Sequence, residues 1–367
     1  MGQEIMTDTQ LRESDLSKAV QEVVDPEIGR SLGRLEMVKQ TRIGPDGTMH
    51  VEIELPTPAY PKRERITQAI EKTLRDASLL RSGGLEVAFS STVRGKNAGG
   101  TLGLTIANII AVGSGKGGVG KSTIAACLAY GLHHYGARTG LMDADVYGPS
   151  IPHLLGVAGA KPAALEHKKP DGETFTRIEP VIAGGVKTIS MGFFIDPNQA
   201  VVWRGPLLHR AIIQFLKDTD WGPLDYLVID LPPGTGDVAL TLSQSVGLAG
   251  AVVVCTPQQV ALLDAVKAIS MYRQVKIPIL GMVENMSGEI FGRGGARRKA
   301  AELGVPFLGE VPIEADIRIK GDEGKTAALF AEQSPARPHL LHVCEQTAIQ
   351  VAKQILETPA MPTLEIL

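Results

Sequence analysis

The chain has 367 residues, of which 44% are hydrophobic and 21% charged, with a formal net charge of −3. That is enough for two domains with a sizeable buried core, and the balance is that of a globular protein without the basic surplus of a dedicated nucleic-acid binder. No apolar leader opens the chain and no run of about 18 apolar residues occurs, so a cytoplasmic protein is expected.

Up to Ser14 the sequence is polar and is expected to be disordered. From Asp15 a helical pattern (Leu16, Ala19, Val20, Val23, Val24) runs to Asp25-Pro26-Glu27. After the Pro45-Asp46-Gly47 turn, Val51, Ile53 and Leu55 alternate with polar residues as in a half-buried strand. Ile66, Ala69, Ile70, Leu74 and Ala77 predict a second helix, and Leu85, Val87 and Phe89 another strand. Residues 15–93 are therefore read as a small α+β domain, and the glycine-rich stretch 94–106 as a linker.

Residues 107–357 alternate strands with helices, which predicts an α/β fold with a doubly wound, mostly parallel sheet. Strands are expected at Ile109–Val112, Thr139–Met142, Thr188–Met191, Tyr226–Ile229, Ala251–Cys255, Ile279–Val283 and Phe307–Val311. Helices are expected at Gly205–Asp218, Ala261–Val275 and His339–Leu356, the last with an apolar stripe from Leu340 to Ile355. Pro359 and Pro362 follow it and rule out a continuous membrane-binding helix there.

The first of these strands runs into Gly115-Lys116-Gly117-Gly118-Val119-Gly120-Lys121-Ser122-Thr123. The spacing is G-x-x-x-x-G-K-S between a strand and a helix, the order a phosphate loop needs. Glycines let backbone N–H groups converge on a polyphosphate, Lys121 reaches the β- and γ-oxygens, and the following helix aims its positive dipole end at the ligand. Ser122 is the expected Mg²⁺ ligand. Gly113, Gly115 and Gly118 also spell the weaker dinucleotide pattern G-x-G-x-x-G, but that reading leaves Lys121 and Ser122 without a role.

Carboxylates stand where later strands end. Asp230 closes Tyr226–Ile229 and is the expected Mg²⁺ holder, directly or through water. Leu231 to Asp237 is a stiff loop suited to sensing a γ-phosphate, and Asp143-Ala144-Asp145 ends the second strand, where a carboxylate can orient an attacking water.

Lys116 within the loop marks the deviant Walker A motif of the MinD/ParA/Soj class. Within that class the chain closely resembles the Mrp (ApbC-type) ATPases, described as iron–sulfur cluster carriers. The resemblance rests on Asp143 to Ser150, Trp203-Arg204-Gly205-Pro206, Trp221-Gly222 with Leu224-Asp225-Tyr226, Asp230 to Asp237, Glu284-Asn285-Met286-Ser287 and Gly321 to Gly324. The N-terminal part resembles the small MIP18-like domain often fused ahead of such ATPases, through Asp25 to Gly29 and Thr57 to Pro61. The resemblance implies slow, Mg²⁺-dependent ATP hydrolysis by a homodimer. It also implies that Lys116 reaches the partner's nucleotide, Lys121 and Asp145 serve catalysis with Asp145 aligning the water, Asp230 holds Mg²⁺ and Asn285 reads adenine. Apo iron–sulfur proteins or a scaffold protein are the implied partners.

Carriers of this kind place a C-x-x-C shortly after the Glu-Asn-Met-Ser segment, whereas here Ser287 runs directly into Gly288. At the small domain's usual cysteine position stands Tyr60. The three cysteines, Cys127, Cys255 and Cys344, fall on predicted core elements, so cluster ligation of the family's kind lacks its thiolates. The competing expectation is a ParA-like positioning ATPase that binds DNA through Arg293, Arg297, Arg298 and Lys299, although nucleic acid is not the expected partner for a chain of this charge.

Overall fold

The computed structural model describes residues 8–80, 83–95, 98, 102–168, 174–194, 205–234 and 236–357. Trp203, Arg204, Thr235, Pro359 and Pro362 lie outside them. The described residues fall into two units, one within Met1–Arg94 and Ala352–Leu367, the other within Gly95–Val351.

The first unit begins with helix α1 (Asp8–Glu22). Helix therefore starts seven residues before the Asp15 expected from the pattern, and the stretch from Asp8 to Ser14 is helical where disorder was expected. A polar sequence is held here by tertiary contact: the Glu13 carboxylate accepts the Ile43 N–H at 3.0 Å, while Leu16 and Val20 are buried. Strands β1 (Val38–Ile43), β2 (Met49–Leu55) and β3 (Leu85–Ser91) form a sheet in that order, antiparallel then parallel. Helix α2 (Glu64–Asp76) makes the crossover between β2 and β3, burying Ile66, Ile70 and Leu74 at a four-residue spacing. Asp25 and Tyr60 meet inside this unit, the Tyr60 hydroxyl donating to Asp25 Oδ2 at 2.6 Å.

The second unit is built on β4 (Ile106–Gly113), α3 (Lys121–His134), β5 (Thr139–Asp143) and the short α4 (Ile151–Leu154). A hairpin of β6 (Ala164–Lys168) and β7 (Thr174–Ile178) follows, then β8 (Val181–Ala183), β9 (Val186–Ser190) and a 3₁₀ turn at Met191–Phe193. The chain continues through α5 (Gly205–Asp218), β10 (Leu224–Asp230), α6 (Gly236–Ser245), β11 (Leu248–Cys255) and α7 (Gln259–Gln274). It closes with β12 (Ile279–Ser287), α8 (Gly295–Leu303), β13 (Phe307–Pro312), α9 (Ala315–Asp322) and α10 (Arg337–Glu357), whose residues from Ala352 onward are counted with the first unit.

The main sheet has the order β13-β12-β11-β4-β10-β5-β9-β8, parallel throughout except for the antiparallel edge strand β8. Its apolar strands are buried on both faces, as parallel strands between helices must be. Of the expected linker, Ala98 and Leu104 are buried in this unit's core, and the Ala98 backbone bonds to Ile106 and Gly247. No helix among the described residues is long and apolar enough to cross a membrane.

Register places the chemistry. Asp230 lies opposite Val112 on one side and Asp143 on the other, and Asp143 lies opposite Ser190. The ends of four neighbouring strands thus deliver two carboxylates, a hydroxyl and the start of the glycine loop to one edge of the sheet, where open α/β sheets bind ligands.

Candidate nucleotide site

A cleft of about 310 Å³ is lined by Ser114, Lys116, Gly117, Gly118, Gly120, Lys121, Ser122 and Thr123 from the loop and the start of α3, with Asp145, Gly148, Ser150 and Leu154 opposite and Pro233 at the rim. The loop holds its shape through its own polar groups. The Ser114 hydroxyl donates to the Lys116 carbonyl at 2.8 Å, and the Gly234 N–H donates to the Ser114 carbonyl at 3.2 Å. Gly118 and Gly120 both have φ of +79°, a region that costs any residue with a Cβ.

Gly115 serves a different need. A Cβ there would stand 2.1 Å from the Asp264 carbonyl oxygen, so this glycine exists to let α7 approach the loop. Gly113 does the same for the Tyr272 hydroxyl.

Lys121 is buried, with its ammonium 2.5 Å from Asp230 Oδ1 and 3.5 Å from Asp145 Oδ2, and it donates to the Ser122 hydroxyl at 3.3 Å. Asp230 is fully buried, and its Oδ2 has no hydrogen-bond partner among the described residues. Burial raises its pKa while the Lys121 charge pulls it down, leaving the net direction upward. Asp143, one strand over, is pushed by burial and then by the Asp230 charge up to about 8. Asp145 Oδ1 accepts the N–H groups of Tyr147 and Gly148, each at 3.3 Å, which turns the chain across the cleft.

The Glu-Asn-Met-Ser segment at the end of β12 packs behind the loop. Asn285 is buried, and its Nδ2 donates to the Val119 carbonyl at 2.9 Å, bracing the loop from behind. Glu284, to which the sequence reading gave no role of its own, accepts the N–H groups of Gly294 and Ala296 at 2.6 Å each and so fixes the start of α8. Just beyond Ser287, Gly288 and Gly292 exchange two backbone hydrogen bonds and close a five-residue loop. Of the four cations expected to bind DNA, three are engaged locally: Arg293 lies 3.5 Å from Glu310, Arg297 stacks over Phe307, and Lys299 pairs with Glu302.

A glycine loop between a central parallel strand and a helix, with its lysine facing a strand-end aspartate, defines a P-loop NTPase. A family model described as the ParA-type NUBPL iron-transfer P-loop NTPase matches residues 105–348, and one described as an iron-sulfur cluster assembly protein matches residues 13–87. This chain belongs to the family of iron-transfer P-loop NTPases. It is 42% identical over 351 residues to the iron-sulfur cluster carrier protein of Deinococcus radiodurans, covering 93% of this chain and 96% of that one. It is 39% identical over 327 residues to the iron-sulfur cluster carrier protein of Escherichia coli K12, covering 84% of each. Among solved structures it resembles a nucleotide-binding protein from Archaeoglobus fulgidus in complex with ADP, at 38% identity and a TM-score of 0.52, over 64% of this chain and 95% of that one. These matches support the carrier family over the DNA-positioning alternative.

Proposed function

We propose that the chain is a Mg²⁺-dependent ATPase that acts as a cytoplasmic homodimer in iron–sulfur cluster assembly or transfer. The observation that carries this reading is the convergence of Lys121, Ser122, Asp145 and Asp230 on a loop whose backbone a polyphosphate can approach. In it, Gly115 to Thr123 cradle the phosphates, and Lys121 exchanges its aspartate partners for the β- and γ-oxygens.

The residues fit Mg²⁺. Asp230 Oδ2 is a buried carboxylate oxygen without a hydrogen-bond partner among the described residues, and the Ser122 hydroxyl is close enough to help lower the Asp230 pKa. Ser122 and Asp230 would hold the ion, which supplies charge neutralisation for the transferring phosphoryl group. Asp145 aligns the attacking water, and the partner protomer's copy of Lys116 adds positive charge. Asn285, whose Nδ2 is spent on Val119, meets adenine through Oδ1.

The cargo is an iron–sulfur cluster, as in the carrier proteins it resembles, and its recipients are apo iron–sulfur proteins or a scaffold protein. Neither a membrane nor nucleic acid enters this reading.

Lys121→Ala removes a charge-assisted contact worth about 1.5–3 kcal/mol, so ATP binding should weaken at least about tenfold. Calorimetry that finds unchanged affinity would overturn the site. The dimer is tested separately, by light scattering of Asp145→Ala, which should bind ATP and hydrolyse it slowly. ATP should convert this variant to a dimer, and adding Lys116→Ala should abolish the conversion. A monomer at saturating ATP would remove the dimer from the reading.

A further inference from the structure

The stretch from Asp145 to Ser150 forms one wall of the nucleotide cleft, yet both of its ends are tied to a residue outside that cleft. Asp143 is fully buried. Its Oδ1 accepts the Asp145 N–H at 3.1 Å, and its Oδ2 accepts the Ile151 N–H at 3.3 Å. A third donor, the Ser190 hydroxyl, reaches Oδ2 at 2.8 Å, while the Ser190 oxygen accepts the Gly192 N–H at 3.0 Å. The 3₁₀ turn holding Gly192 packs on the same wall, since a Cβ at Gly192 would lie 3.2 Å from Pro152 and 3.3 Å from Pro149.

We infer that Asp143 is a positioning residue for ATP hydrolysis, clamping both ends of the 145–150 wall so that Asp145 meets the attacking water at a fixed place. The inference rests on the proposed ATPase reading and adds to it a residue that touches neither nucleotide nor water. The chemistry of the clamp is specific to a carboxyl group. Its two oxygens accept from two backbone N–H groups on opposite ends of the wall. An asparagine of the same shape has one acceptor oxygen and an NH₂ group, so whichever way its amide turns, one backbone N–H faces a donor and that end is released. Through Ser190, the clamp also joins Asp145 to the turn at the end of β9, so a contact that moves this turn changes the rate without touching ATP.

The test measures hydrolysis and binding together in the full-length protein. Asp143→Asn keeps size and burial, and ATP affinity should stay within about threefold of wild type, because the loop and Lys121 are untouched. The kcat should fall by about ten- to a hundredfold, the scale expected when a reacting group is misplaced by about an ångström. Affinity for ADP with aluminium fluoride, which mimics the transferring phosphoryl group, should fall in parallel with kcat. Ser190→Ala removes one of the three donors and should show the same split with a smaller loss.

Folded variants with unchanged kcat would overturn the inference, as would ATP affinity falling as far as kcat, which marks a merely structural role. Wild-type protein that hydrolyses ATP no faster than Asp145→Ala would overturn the ATPase reading itself and the clamp with it. Hydrolysis that is fast in wild type and survives Asp143→Asn overturns the clamp alone.

Discussion

Tyr60 and Asp25 form a pair that shows how much one buried contact decides. Asp25 is fully buried, and three donors converge on it: the Glu27 and Ile28 N–H groups on Oδ1 and the Tyr60 hydroxyl on Oδ2. These bonds favour the carboxylate, but burial outweighs them and raises the pKa above 3.8. The folded chain therefore binds this proton more tightly than the unfolded one. The stability it contributes is complete below the unfolded value and is lost as pH climbs from about 4 through the folded value. Asp25→Asn should remove this dependence while keeping the geometry, because the amide oxygen still accepts from Glu27 and Ile28 and its NH₂ can donate to the Tyr60 oxygen. Melting curves between pH 4 and 7 should show wild type losing ground to Asp25→Asn as pH rises, and a gain instead would contradict the raised pKa.

Among the elements, the glycine loop separates positions demanded by a neighbouring helix from those that are not. A Cβ at Gly115 collides with the Asp264 backbone at 2.1 Å, whereas one at Gly117 finds its nearest neighbour, the Pro233 ring, at 3.9 Å. Gly115→Ala should therefore force α7 or the loop to move, at the cost of about 1–3 kcal/mol typical of overpacking, and Gly117→Ala should leave nucleotide-free stability near wild type. Thermal melts without nucleotide check the contrast, which equal melting temperatures would refute. The motif and strand pattern made the loop, the Asp230 strand and α5 legible, because each is a local signal of periodicity or spacing. The β6–β7 hairpin was not, since Leu165-Glu166-His167 and Thr174-Phe175-Thr176 lack a sustained apolar alternation. Neither were the partners of Asp143 and Glu284. Ser190 lies 47 residues beyond Asp143, and the α8 N–H groups are 10 and 12 residues beyond Glu284, distances at which only the folded sheet says who meets whom.

At the scale of the whole molecule, the iron–sulfur role of the family meets a chain whose thiols face inward. Cys127, Cys255 and Cys344 are all free and buried. Burial pushes the Cys127 and Cys255 thiols up to about 12, and Cys344 well above its ordinary value. Cluster ligation needs thiolates, so each cysteine is unsuited both by protonation and by access. The Cys344 thiol, moreover, donates to the Cys127 carbonyl at 3.6 Å and fills the space beside Gly131, where a Cβ would stand 2.2 Å from its sulfur. The positions where the family is expected to carry cysteines hold Tyr60, buried against Asp25, and the closed loop from Gly288 to Gly292. Recruiting the three core thiols would mean opening the second unit, at a cost on the order of a domain's whole stability, about 5–15 kcal/mol. Anaerobic reconstitution with iron and sulfide should therefore leave little iron on the purified protein, and the same amount on a variant carrying Cys127→Ser, Cys255→Ser and Cys344→Ser. Near-stoichiometric iron in wild type that disappears in the variant would show that the core opens to bind a cluster. On the proposed function, the expected result leaves the cluster's ligands to be supplied by a partner.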